Sequence, residues 1–149
     1  FTLAFDAPDA VPLSLDVMGG FSADDWVSLR ACLIPSVCWL QLQHNTVDMW
    51  KSAKAEIGIP DAVVLSAPMN CLVWRHKLVC QYRTLEPSEA SALRLLTDGG
   101  SFASMCEYLL STHGEQSPLQ AAIWLKSWIS DGLLVRTCRI GTSDTIFLN

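Results

Sequence analysis

The chain has 149 residues, with 10 Lys and Arg against 15 Asp and Glu, a formal net charge of −5. Charged residues make up only 17% and hydrophobic residues 50%, against a usual charged share of about 25%. That balance excludes a broad basic face of the kind that grips nucleic acid. With no run of about 18 apolar residues, it also excludes a membrane-spanning helix.

Six Trp residues supply ample core material, and either a rich core or an additional apolar surface covered by a partner protein accounts for them. No signal peptide is visible, although the chain starts at Phe1 rather than Met. The cysteines at 32, 38, 71, 80, 106 and 138 lack CxxC spacing, and several fall on apolar faces, where a free thiol behaves as a small hydrophobe. A reducing, cytoplasmic setting without a disulfide framework is expected.

Residues 1–5 read as the tail of a helix, and 6–15 as a proline-punctuated linker. Ser22 caps a helix from Ala23 to about Leu33, with Asp24 and Asp25 in its first turn and Trp26, Leu29 and Leu33 on one face. Pro35 ends it. A strand is expected over 37–42, then a helix capped at Asn45 or Thr46 and running to about Ile57, with Val47, Trp50 and Ala53 inward. Gly58, Ile59 and Pro60 break that helix, and 62–65 reads as another strand before Pro68. The simplest division places a mainly helical part at 1–61 and a second part at 62–149.

The second part carries the clearest punctuation. Strands over 71–74 and 79–83 form a hairpin turning near His76 and Lys77. Glu86 and Pro87 open a helix with Glu89 in its first turn, Ala90, Leu93 and Leu96 on its apolar face, and Gly99-Gly100 as its stop. Ser101 caps the next, in which Phe102, Met105, Cys106 and Leu109 repeat at helical spacing. His113-Gly114 ends it. Ser117-Pro118 starts a third, with Ala121, Leu125, Trp128 and Ile129 inward and Asp131-Gly132 at its close. A further hairpin is expected from 133–138 and 145–148 around Gly141 to Asp144. Strands, three helices and a wing make a winged-helix pattern, so the fold class is α+β.

Catalytic ingredients are sparse. His44, His76 and His113 are far apart and fall near turns; no metal-ligand spacing, phosphate loop, dinucleotide fingerprint or G-x-S-x-G occurs. A recognition helix for DNA needs Arg, Lys, Asn or Gln for bases and phosphates. The third helix carries only Lys126 as a charge, with Gln116 and Gln120 near its start, and Arg136 and Arg139 on the wing are few. A winged-helix transcription regulator is therefore the weaker alternative. Peptide binding fits better: the second hairpin arm can be an edge strand to which an extended peptide adds, with an adjacent helix offering pockets. Val79, Gln81 and Arg83 alternate with Cys80 and Tyr82 along that arm, and Val79 is expected to offer an edge amide. Ala121, Trp124 and Leu125 are the expected helix partners.

The run VWRHKLVCQYRTLEPSEASALRLLTDGGSFASMCEYLL followed by AAIWLKSWISDGLL resembles the PqqD-like peptide-recognition element of systems that modify ribosomal peptides. Together with SADDWVSLRACLIPSVCWLQLQHNTVDMW it resembles the HvfC family, which includes MbnC-type partner subunits of methanobactin synthesis. The likeness spans about residues 1–134 and rests on the order of Asp25-Trp26, Leu29-Arg30, Pro35-Ser36-Val37, Val73-Trp74-Arg75, Tyr82-Arg83 and Trp128 with Asp131-Gly132-Leu133. HvfC-type proteins carry a longer helical region ahead of the position of Phe1; its absence from this sequence fits a compact MbnC-like member or a chain whose start has been removed or is disordered.

The resemblance implies a non-catalytic subunit that forms a heterodimer with a TIM-barrel, multinuclear iron oxygenase (MbnB-like) and delivers a precursor peptide. The cysteines of that peptide become copper-binding oxazolone and thioamide groups. It implies no cofactor in this chain, the iron belonging to the partner, and neither nucleic acid nor membrane as a partner. Trp26, Trp39 and Trp50 are the expected docking residues for the oxygenase.

Overall fold

A computed structural model of the chain describes residues 1–136, without the side chains of Thr112, His113 and Glu115. Arg139, the turn around residues 141–144 and the arm at 145–148 expected of the C-terminal hairpin lie outside the described residues. The architecture is α+β. Three antiparallel strands, β2 (Cys38–His44), β3 (Val64–His76) and β4 (Val79–Leu85), form a meander in that order. Three helices follow: α5 (Pro87–Thr97), α6 (Phe102–His113) and α7 (Ser117–Ser130). The N-terminal segment contributes α1 (Thr2–Asp6), α2 (Leu15–Met18), α3 (Ala23–Val27), β1 (Cys32–Leu33) and, after β2, α4 (Thr46–Lys54). A short β5 (Leu134–Val135) pairs with β1.

Alternation along β3 sends side chains to two different layers. Leu72 and Trp74, with Trp39 of β2, face the helices and join the main core of Leu93, Leu96, Met105, Leu109, Leu125 and Trp128. Cys71 and Val73 face the other way, where Ala4 of α1 closes over them beside Cys38, Leu40, Cys80 and Tyr82. Arg75 fastens that lid: its guanidinium donates to the carbonyls of Phe5 and Ala7 and meets Asp9 at 2.7 Å.

The expected boundary at residues 61 and 62 falls between β2 and β3, hydrogen-bonded neighbours, so the two parts share one sheet. They share a core as well, since Leu13, Met18, Leu29 and Ile34 pack with the helices of the second part. Two further expectations give way to tertiary pairing. The helix from Ala23 stops at Val27, because Cys32 and Leu33 are drawn into pairing with Val135 and Leu134 while Ile34 N–H donates to Leu133 at 2.9 Å. The strands expected on either side of Pro68 are one strand. The β2–β3 register shifts between Leu42 and His44 opposite this stretch, and β4 begins its pairing only at Asn70, so the amide that proline lacks has no partner to lose.

Cys32 is disulfide-bonded, where no disulfide framework was expected; Cys38, Cys71, Cys80 and Cys106 are free. Alkylation after denaturation without reductant should leave Cys32 unlabelled, and peptide mapping that finds it labelled would remove that bond.

The β3–β4 turn consists of Lys77 and Leu78, with φ of 48° and 64°. Both residues are left-handed, as a two-residue hairpin turn of matching twist requires, and that conformation suits Asn and Gly far better. Replacing Lys77 by Asn together with Leu78 by Gly should raise stability by about 1 kcal/mol in urea denaturation.

Candidate peptide-binding edge

Strand β4 is an outer strand of the sheet, and its register identifies which backbone groups are open. With Lys77 and Leu78 as the whole turn, His76 and Val79 form the closing pair that exchanges both hydrogen bonds. Trp74 with Gln81, Leu72 with Arg83 and Asn70 with Leu85 repeat that pattern two residues apart. The N–H and C=O groups of Cys80, Tyr82 and Thr84 therefore point away from β3. No backbone hydrogen bond among the described residues engages them. Val79, expected to offer an edge amide, spends that amide on His76. Val79→Pro would open the hairpin rather than block the edge.

A groove adjoins the far end of this strand. Its volume is about 620 Å³, and Met69, Thr84, Leu85, Glu86, Glu89, Gln120 and Trp124 line it. Thr84 and Leu85 project to opposite faces of the sheet, so the groove runs around the strand edge. Helix α7 forms its other wall. One turn along from Gln120, Ile123 is 51% exposed and carries the apolar surface of this helix outward together with Leu119.

The spacing between β4 and α7 is set by polar side chains. The guanidinium of Arg83 donates to Ser127 Oγ at 2.9 Å and to Asp131 Oδ2 at 2.7 Å on α7 and its cap, and to Glu89 Oε1 at 2.5 Å on α5. Glu89 is buried, and the same oxygen accepts Trp128 Nε1–H at 2.9 Å. Trp74 Nε1–H donates to the carbonyl of Asp131 at 2.9 Å, tying β3 to the same helix end. Gly132, with φ of +70°, turns the chain there, and the His76 ring sits where a side chain would be.

The residues singled out in the sequence are thus divided. Val79, Cys80, Gln81, Tyr82 and Arg83 all lie on β4. Cys80 and Tyr82 turn their side chains toward the α1 face, Tyr82 against Trp50 at 4.8 Å between ring centroids. Arg83 turns toward α7. Trp124 lines the groove, but Ala121 and Leu125 have relative exposures of 0% and 1% and offer a ligand no surface. They face the core because their helical phase matches that of Trp128. Sequence reading took Glu86 and Glu89 only as helix-start residues and weighed Gln120 only against DNA binding, so none of the three was assigned to a peptide site.

Among the three docking tryptophans, Trp39 is buried at 4%, donating to Asn70 Oδ1 at 3.0 Å beneath the Arg94 guanidinium, and presents no docking surface. Trp26 lies half-buried between Phe21 and Phe102. Trp50 lies half-buried between Phe1 and Tyr82 with Lys54 over its ring.

Burial pushes the thiols of Cys38, Cys71 and Cys106 above their ordinary range, so they are poor nucleophiles at neutral pH. Among the described residues no group of three or more His, Cys, Asp or Glu could hold a metal ion, and no helix is long and apolar enough to cross a membrane. No protein-family model matches the chain, and no curated protein matches it.

Glu89→Ala should cost about 3 kcal/mol in denaturant unfolding, because it leaves the Trp128 indole N–H unpaired in the core and strips Arg83 of its most buried partner. A loss below 1 kcal/mol would mean that the carboxylate does not hold these elements together.

Proposed function

We propose that the chain is a non-catalytic, peptide-delivering subunit that takes up the leader of a ribosomal precursor peptide as an added strand on β4. The observation that carries this reading is an open edge beside a groove whose opposite wall is a helix, the arrangement in which backbone pairing supplies affinity and the groove reads alternate side chains. The strand pair followed by three helices agrees with a winged-helix-like, PqqD-like element.

The resemblance to the HvfC family adds the rest of the proposal. The leader-bearing subunit forms a cytoplasmic heterodimer with a TIM-barrel, multinuclear iron oxygenase, which holds the iron and modifies the cysteines of the precursor toward a copper-binding, methanobactin-type product. Trp26 and Trp50 retain exposed edges for such docking, whereas Trp39 does not. The alternative of a DNA-binding regulator draws little support from α7, whose exposed side presents Pro118, Leu119, Ala122 and Ile123 with Lys126 as its charge. Such a face pairs with apolar surface, not with phosphates.

Co-expression with a candidate iron oxygenase and native mass spectrometry with and without precursor peptide tests the assembly. A one-to-one heterodimer that gains one peptide is expected. A free chain that ignores both and shifts a DNA fragment in a salt-dependent way would overturn the proposal. Thr84→Pro, which removes an outward amide and leaves the β3 ladder intact, should weaken peptide binding at least tenfold.

A further inference from the structure

The groove at the end of β4 carries a charge that selects its occupant. Three carboxylates, Glu86, Glu89 and Asp131, stand around the space between β4 and α7, and one guanidinium, that of Arg83, stands among them. Arg83 is already bound to Glu89 at 2.5 Å and Asp131 at 2.7 Å, and Glu89 lies buried beneath it. Glu86 is exposed at the mouth, where β4 gives way to α5, and no ion pair among the described residues involves it. Lys126 lies one turn beyond Ile123 on the outer side of the helix, and is rotated by about 120° from Gln120 and about 160° from Trp124, the two α7 residues that line the groove. The neutral part of the lining is Met69, Leu85, Gln120 and Trp124.

We infer that the segment added to β4 is a basic one, with a Lys or Arg side chain meeting Glu86 and an apolar side chain two residues away against Trp124 and Ile123. This rests on the strand-addition reading and specifies its ligand class. The geometry follows from the edge. Outward backbone groups at Cys80, Tyr82 and Thr84 pair with alternate residues of the incoming strand, and its side chains then alternate between the α7 wall and solvent at about 6.5 to 7 Å intervals. The residue opposite Leu85, not the one opposite Thr84, turns its side chain to the α7 face, where the strand runs on into Glu86. A long cationic side chain can span the mouth with its alkyl stem on Leu85 and its charge on the carboxylate. An acidic side chain at the same place would face Glu86 with the Arg83 charge already engaged.

Selection of displayed random twelve-residue peptides on the intact chain, followed by affinity measurement of the enriched sequences as synthetic peptides, tests this. The expected result is enrichment of Lys or Arg two residues from an apolar side chain. Replacing that cation by Glu should weaken binding about tenfold or more, and Glu86→Gln should narrow the difference to within about threefold. Hydrogen exchange on the wild-type chain should show the Tyr82 and Thr84 amides protected by bound peptide. Enriched peptides without charge preference that still protect those amides would overturn the basic ligand and leave strand addition standing. Peptides that protect neither amide would overturn both. Thr84→Pro and Glu86→Gln are compared by thermal melting first, and the exchange measurement on wild type decides if either variant unfolds.

Discussion

The carboxylate of Glu89 is the point on which the structure turns. It is buried on the first turn of α5, one of its oxygens accepts both the Arg83 guanidinium from the adjoining β4 and the Trp128 indole N–H from α7, and α7, 39 residues further along the chain at Trp128, has no covalent reason to meet the other two there. A buried carboxylate without partners is costly, so the arrangement in which Arg83 and Trp128 both reach it is strongly favoured over packings that strand any one of them. Arg83 then extends to Ser127 and Asp131, which fixes how far α7 stands from the strand. The groove width is a consequence of that distance.

The same constraint bears on the edge of the sheet. An apolar contact between β4 and α7 would close the two elements against each other. A guanidinium bridge holds them apart at a defined separation and leaves the Thr84 end open. On the other face of the sheet, Tyr82 and Cys80 are covered by α1 and by Trp50, so β4 is anchored on both faces while its outward backbone groups have no backbone partner among the described residues. A strand anchored in this manner presents a rigid edge, and less ordering entropy is lost when a second strand pairs with it.

Much of the second half was legible because its helices carry local punctuation. Pro87 in the first turn of α5, Ser101 bonding the Ser104 amide at 3.2 Å, and Gly99 in a left-handed conformation are decided within a few residues. The strand β4 was also legible, yet the direction of its amides was not. A turn at Lys77 and Leu78 rather than one residue earlier exchanges inward for outward groups along the entire arm. Ala121 and Leu125 were recognised as apolar, but apolar character alone does not distinguish a core face from a pocket wall.

Composition, periodicity and capping residues by themselves determined the α+β class, the order of the sheet hairpin and its three helices, and the apolar character of α7 with Lys126 as its one charge, since each depends on neighbours in sequence. Tertiary structure alone decided that residues 1–61 and 62–149 share one sheet and core, that the α3 helix gives way to β1, and that strand β3 runs through Pro68. It also decided that Trp39 is core and that Glu86, Glu89 and Gln120 gather at the β4 edge. The physical reason is the same in each case: hydrogen bonds and burial between segments tens of residues apart outweigh local propensities of a few tenths of a kcal/mol to about 1 kcal/mol per residue.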